Sequence, residues 1–352
     1  VQIVTFERRV DGGPADGRRE HSMRDGMAAF AALEPAAVGA RRLGSIVASG
    51  EHAGAVVDLN RALAIKLAQE DAGAPEAEAD SLLPPDAIAF LRRLPGSLAA
   101  ARTALEFALD ALARYDAPDL LRAGAVEPRA GVRLLAPVPR PGKIVGVARN
   151  YPAHAAERGS IAAPDEPALF LKAPSAVIGP EDEIRLSRSS SRVDFEGELA
   201  VVIGARAREI SASEALACIA GYCAANDVTA RDIQDDRGQR SIAKSCDSFA
   251  PLGPVLVTAD EVPDPQDLAL RTVVSGEVMQ SARTKEMLFG VAALVAFASR
   301  LMTLEPGDVL LTGTPSGVGA ARTPPRWLRD GDLVEVAIER VGRLRNYVRG
   351  AG

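Results

Sequence analysis

Apolar positions recur with different periods on the two sides of a proline-rich segment, Ala136-Pro137-Val138-Pro139-Arg140-Pro141-Gly142. Its alternating prolines withhold backbone donors and hold the chain extended, which predicts two domains, residues 1–136 and 137–352. In the first domain, Val1 to Phe6, Leu43 to Val47 and Ala55 to Leu59 have the apolar, β-branched character of short strands. Between the first two of these, Asp11-Gly12-Gly13-Pro14-Ala15-Asp16-Gly17 opens a turn-rich insertion that runs to about Ala40. Leu98, Ala101, Leu105, Ala108, Leu109 and Leu112 fall at helical spacing and predict one amphipathic helix. Another starts after Pro84-Pro85 with Asp86 as N-cap. The stretch from Ala72 to Asp80 is acidic and low in complexity and predicts a solvated loop. No reactive constellation lies in this half, so it reads as a support or lid domain.

After the prolines the texture changes to short strands separated by Gly/Pro turns. Lys143 to Val147, Leu169 to Lys172, Leu199 to Ile203, Pro254 to Thr258, Asp308 to Thr312 and Leu333 to Ile338 are the predicted strands. Ser211-Ala212-Ser213-Glu214 is a capping box, predicting a helix that stops near Gly221. A second helix is expected from about Glu286 to Met302, with Leu288, Val291, Leu294, Val295, Ala298 and Leu301 inward. Many strands with few helices argue for a β-rich α+β domain rather than a doubly wound sheet.

Composition narrows the function classes. Over 352 residues, 47% are apolar and 25% charged, with a formal net charge of −6, which is ordinary globular composition. There is no basic block of the kind a phosphate backbone demands, so nucleic acid is not an expected partner. The longest apolar run, Val291 to Ala298, is far short of the ~18–20 residues of a bilayer span, so no membrane partner is expected. The opening Val-Gln-Ile-Val-Thr-Phe carries no basic segment followed by an apolar one, so no secretory signal is expected there. Cys218, Cys223 and Cys246 lack CxxC spacing and read as buried reduced thiols. A cytoplasmic protein is the expectation.

Carboxylates carry the first chemical signal. Val193-Asp194-Phe195-Glu196-Gly197-Glu198-Leu199 leads into an apolar strand, and residues i and i+2 of a strand share a face, so Glu196 and Glu198 project together. Two like charges side by side need a cation, a shared proton or open solvent. Asp227 ends the apolar stretch from Gly221 to Ala225, and Asp227, Arg231 and Gln234 at i, i+4, i+7 share a face if a helical turn starts there. Three carboxylates without nearby His or Cys suit a hard divalent ion, Mg²⁺ or Mn²⁺; a solvated strand edge is the competing reading. Of three histidines, His21 lies in the polar insertion and His52 in a Gly-flanked turn, which makes both surface residues. His154 has Glu157 three residues on, a spacing that suits either an oriented general base or surface decoration. Lys244 precedes a Pro/Gly-rich turn, and a lone lysine is ordinarily exposed. Thr312-Gly313-Thr314-Pro315-Ser316-Gly317-Val318-Gly319 follows a strand and exposes backbone amides to an anion. It is neither a phosphate loop nor a dinucleotide fingerprint, because the Gly-Lys-[Ser/Thr] ending and the Gly-x-Gly-x-x-Gly spacing are both missing.

Taken in order, Arg149-Asn150-Tyr151 with His154 and Glu157, Phe170-Leu171-Lys172, Asp194 to Leu199, Asn226 to Gln234, Lys244-Ser245, Pro251-Leu252-Gly253-Pro254, Leu304 to Asp308 and Leu311 to Gly319 resemble the fumarylacetoacetate hydrolase family over roughly Lys143 to Val348. The resemblance implies a β-rich roll assembled as a homodimer; the half before it, a smaller, partly helical α+β domain by its own pattern, matches the family only loosely. It implies Mg²⁺ or Mn²⁺ on Glu196, Glu198 and Asp227, with His154, Glu157 and Lys244 catalytic. Arg149, Tyr151, Lys172, Arg231, Gln234, Gly313 and Thr314 fall at the substrate. The implied reaction is hydrolysis of a C–C bond in a 1,3-diketone or acylpyruvate-type 2-oxo acid through an enolate on the ion. There His154 activates water, and Lys244, with Arg231 and Gln234, stabilises the oxyanion. Decarboxylation, hydration or isomerisation of an oxaloacetate-like 2-oxo dicarboxylic acid is the alternative, as is a repurposed biosynthetic enzyme. Two departures stand out: Ser241-Ile242-Ala243 replaces an aromatic residue before the lysine, and Ser275 replaces an Asn before Gly-Glu.

Overall fold

The computed structural model describes residues 1–9, 39–114, 120–121, 123–159 and 165–351. The insertion with His21 lies outside the described residues. Two compact units, Val1–Leu134 and Leu135–Gly352, divide the chain.

In the first unit, Gln2–Arg8, Arg42–Ile46, Val56–Asp58 and Val126–Glu127 pair antiparallel in that order. Asp58 ends one strand and caps the next helix, Leu59–Gln69, by accepting the Arg61 amide at 3.0 Å. Asp86 caps Ala87–Leu91 the same way, accepting the Ala89 amide at 2.9 Å. Helix Gly96–Arg114 buries Ser97, Ala101, Ala104, Ala108 and Ala111, whereas Leu109 is exposed. The face is therefore rotated from the leucine-led one that the spacing predicts, because small alanines let this helix approach Leu59–Gln69 closely. The expected solvated loop is instead a helix, Pro75–Leu82. Proline at its start and Glu76 and Glu78 in its first turn favour that end of a helix. Glu76 also pairs with the buried Arg61 at 3.1 Å.

In the second unit the central sheet runs Ala250–Thr258, Ile219–Asn226, Gly197–Ile203, Val309–Leu311, Ile144–Ala148, Ala168–Lys172. Only Val309–Leu311 and Ile144–Ala148 pair in parallel along this path. Every residue of Gly197–Ile203 is buried, as its position mid-sheet requires. A second sheet orders Glu277–Arg283, Ala269–Val274, Leu333–Ile338, Gly342–Arg349 and Ile184–Arg185. The fold is mixed α+β.

Three sequence expectations shift here. The capping box at Ser211 forms, but its helix ends at Ala215 and Gly221 lies within a strand. A Cβ on Gly221 would meet the Val257 carbonyl oxygen at 2.1 Å, so strand pairing, not helix termination, requires glycine there. The late helix starts only at Val291, because Asn150 holds the preceding residues extended. Its carbonyl accepts the Leu288 amide at 2.7 Å and its Oδ1 accepts the Phe289 amide at 2.9 Å. Leu301, expected inward, is exposed. All three cysteines are free thiols, with Cys223 buried and the other two half-buried.

Candidate active site

Two adjacent strands bring the acids together. In the antiparallel pair of Gly197–Ile203 with Ile219–Asn226, Gly197 faces Asn226 and Glu198 faces Ala225. Extending that register by one residue sets Asp227 beside Glu196, and the Asp227 amide donates to the Glu196 carbonyl at 2.8 Å. Oxygens of Glu196, Glu198 and Asp227 all lie within 4.8 Å of one another, and all three residues are buried. Asp227 is therefore placed by strand register. It does not share a helical face with Arg231 and Gln234, since a short strand, Thr229–Ala230, intervenes before a π-helical turn, Asp232–Asp236.

Cations surround this cluster unevenly. Lys244, buried rather than exposed, donates to Glu196 Oε2 at 2.7 Å, to Asp227 Oδ2 and to Thr229 Oγ1 at 2.8 Å. Its ammonium also lies 5.0 Å from the centre of the Phe170 ring. Arg231 donates to Glu196 Oε1 at 2.6 Å and to Asp194 Oδ2 at 2.8 Å. Lys172 is fully buried, with its ammonium engaged by Asp227 Oδ1 and the Phe249 carbonyl. Burial pushes the Glu196 carboxyl up, but the charges of Lys244 and Arg231, with His154 adding to them, hold it well below the usual carboxylate range. Burial tends to lower Lys244, and Asp227 and Glu196 outweigh it and raise it. Glu198 is the exception. Burial, then the charges of Asp227 and Glu196, push its carboxyl well above the usual range, outweighing the opposing charge of Lys244 and the Gly313 amide at 2.6 Å.

This imbalance is the test of a metal site. A buried carboxylate that converges on two others and is short of compensating charge fits a cation. Oxygen-only donors suit a hard divalent ion. Glu196, Glu198 and Asp227 are thus a candidate divalent-ion site.

His154 comes from a separate element. It lies on the short helix Pro152–Glu157, and its Nδ1 meets Glu157 Oε1 at 2.7 Å. The other Glu157 oxygen accepts the Gly317 amide at 2.8 Å, so the glycine-rich loop fixes the pair. That loop is bent at Gly313, whose φ of +96° is a region L side chains rarely adopt. Thr314 donates to the Gly197 carbonyl at 2.9 Å and accepts from Gln280 at 2.7 Å. Arg149 has a left-handed backbone, φ 56°, a strain of roughly 1–3 kcal/mol that the hydrogen bonds of the neighbouring Asn150 hold in place. The Tyr151 hydroxyl is buried without a hydrogen-bond partner among the described residues, and burial with the charge of Glu198 pushes its acidity down.

A cavity of about 530 Å³ collects His154, Glu196, Arg231, Gln234, Lys244 and Thr314 on its walls, with Arg149 also lining it. Glu198, Asp227, Glu157, Lys172, Tyr151 and Gly313 do not line it; of these, Lys172 engages Asp227 and the Gly313 amide engages Glu198. Sequence reasoning missed three groups. Asp194 accepts from the amides of Phe195, Gly319 and Ala320 as well as from Arg231, and thereby ties the glycine loop to the acid cluster. Gln280 joins the Gly197 amide to Thr314 from the second sheet, a contact no local pattern announces. Arg240 lines the cavity immediately before Ser241-Ile242-Ala243 and had no motif to mark it.

Residues 143–349 match the sequence model described as Fumarylacetoacetate (FAA) hydrolase C-terminal. The chain is 43% identical over 268 residues to a Bos taurus protein named oxaloacetate tautomerase FAHD2A, mitochondrial, covering 76% of this chain and 80% of that one. The Homo sapiens protein of the same name is 43% identical over 271 residues, covering 76% and 81%. Among solved structures, a 2-hydroxyhepta-2,4-diene-1,7-dioate isomerase from Mycobacterium marinum is 45% identical with a TM-score of 0.57, over 65% of this chain and 82% of that chain. A fumarylacetoacetate hydrolase from Exiguobacterium antarcticum is 34% identical with a TM-score of 0.67, over 89% of this chain and 96% of that one.

Proposed function

The chain belongs to the fumarylacetoacetate hydrolase family, and from that premise we propose that it is a Mg²⁺- or Mn²⁺-dependent tautomerase or isomerase of a 2-oxo dicarboxylic acid of the oxaloacetate kind. The observation that carries this reading is His154, clamped through Nδ1 by Glu157, on the same cavity as Glu196 and Lys244. Relatives named as tautomerases and isomerases support it over the hydrolytic reading.

Glu196, Glu198 and Asp227 would hold the ion, which when bound supplies Lewis-acid stabilisation of negative charge on a substrate oxygen. With Nδ1 engaged, Nε2 of His154 is the nitrogen left to act as base. In the oxo-to-enol direction the C–H bond beside the carbonyl breaks and its proton goes to Nε2. The C–H electron pair becomes the C=C bond, the carbonyl π pair moves onto oxygen, and that oxygen takes a proton from solvent while the His154 imidazolium returns one to solvent, so the substrate is rearranged with no atom gained or lost and the base is regenerated. Arg231 donates a hydrogen bond where charge gathers on oxygen, Lys244 adds positive charge there while its donors hold Glu196, Asp227 and Thr229, and Glu157 stabilises the imidazolium.

The second reading is hydrolytic cleavage of an acylpyruvate or other 1,3-diketone, favoured by the likeness to the Exiguobacterium antarcticum hydrolase along most of the chain. There His154 would take its proton from water. An absorbance screen separates the two, using oxaloacetate and acylpyruvates with Mg²⁺ or with EDTA. Ion-dependent relaxation of the oxaloacetate enol band without consumption of substrate is the expected result. Loss of a diketone chromophore to two products would replace it with the hydrolase, and CO₂ release with a decarboxylase. The working assembly is a homodimer.

A further inference from the structure

We propose that Arg240 determines specificity at this site by binding a second carboxylate, at the end of the substrate remote from its 2-oxo acid group. The cations on the cavity wall are not equivalent. Arg231 and Lys244 are neutralised by Asp194, Glu196 and Asp227. Arg158 is held by both oxygens of Asp235, at 3.0 and 2.8 Å. Arg240 is half-buried on the same cavity, and among the described residues it makes no ion pair or hydrogen bond. Its neighbour Arg149 carries the same sign. Burial first, and then Arg149, weaken the charged form of Arg240, with Glu196, Asp227 and Asp235 opposing them from a distance.

A guanidinium that is partly desolvated, next to another cation and without a carboxylate is the arrangement an incoming anion relieves. A planar guanidinium also matches a carboxylate with two parallel N–H donors, which a lysine cannot do. A monocarboxylic 2-oxo acid brings one carboxylate, adjacent to its carbonyl at the acid triad, and leaves Arg240 unused. A dicarboxylic one supplies the missing partner. The inference rests on the proposed function in one respect, that the reacting end is a 2-oxo acid.

Calorimetry on the full Mg²⁺-loaded chain tests it with unreactive 2-hydroxy acids in two matched pairs. These are malate against 2-hydroxybutanoate, and 2-hydroxyadipate against 2-hydroxyhexanoate, each pair differing by a carboxylate in place of a methyl group. The expected result is a preference for the diacid of about tenfold or more in at least one pair. Arg240→Gln should erase that preference by weakening the diacid alone, and Arg240→Lys should restore part of it. Absence of a preference in both pairs, or equal weakening of both members by Arg240→Gln, overturns the assignment. If no 2-oxo acid is turned over yet the diacid preference still depends on Arg240, the proposed function falls and this assignment stands. Turnover with a preference indifferent to Arg240→Gln gives the reverse.

Discussion

Glu198 is a buried acid with three reasons to stay protonated: burial itself, Asp227 and Glu196. A carboxyl whose folded-state value is raised binds its proton more tightly folded than unfolded, so stability falls as pH rises upward from the ordinary carboxylate range. Replacing it with the neutral isostere removes that loss. Glu198→Gln is expected to raise the melting temperature of EDTA-treated protein at pH 8 and to abolish the further rise that Mg²⁺ gives the wild type. That rise corresponds to about 2.7 kcal/mol at an ion concentration one hundred times Kd. A wild type indifferent to Mg²⁺ would refute the ion site. His154→Ala should keep the Mg²⁺ response while kcat falls by about 10²–10⁴. Lys244→Ala removes positive charge beside the developing oxyanion, and a fall of about 10²–10³ in kcat is expected. At this scale the Glu196–Glu198 pair and the His154–Glu157 contact were legible, because i, i+2 on a strand and i, i+3 on a helix already imply which side chains meet, whereas the place of Asp227 beside Glu196 comes from strand register and not from its local spacing. The engagement of Lys172 with Asp227 and Phe249 was not, since its partners lie 55 and 77 residues away.

Among elements, the short strand Val193–Asp194 carries more than its length suggests. Its carboxylate joins the strand pair that presents the acids to the loop that presents Thr314 and Gly317. Asp194→Asn leaves Arg231 buried with half its compensation, and breaking a buried pair typically costs about 3–5 kcal/mol. A lower urea midpoint together with weaker Mg²⁺ binding is expected; an unchanged midpoint would show that Glu196 alone suffices for Arg231. Asp332 plays a similar part at the turn before Leu333–Ile338. Burial would raise it, but Arg326, the Ser275 hydroxyl at 2.8 Å and the Arg329 amide at 2.8 Å hold it below the usual range. The stability it contributes is present above its unfolded value and lost as pH falls through the lower folded one. Asp332→Asn should therefore flatten the acid limb of a stability-against-pH curve. Helix boundaries were the least legible part at this scale. Asn150 cuts short a helix whose apolar spacing extends further, and only the folded chain brings Asn150 to that segment.

Across the whole molecule, the change in texture near the prolines corresponds to a change from a helix-rich unit to a strand-rich one. Alternation and turn residues made the strand-rich architecture readable, whereas the order of strands in the sheet depends on pairings between distant segments. No helix among the described residues is long and apolar enough to cross a membrane. Light scattering should give twice the chain mass of 36.8 kDa if the homodimer is the working assembly; a monomer that retains full turnover would dispense with it.

The strand pair that presents the acids has its irregularity at the far end. Register shifts between Val202 and Ile203, next to the connection that leads to Cys218, while Glu198 and Ala225 stay in register at the other end. A one-residue slip carried down both strands would turn the acids to the opposite face, and a bulge takes up such a residue locally. The connection is therefore a natural place to graft a tag or a reporter peptide, with the bulge acting as a buffer between the graft and the chemistry. The same graft between Glu196 and Leu199 would have no such protection.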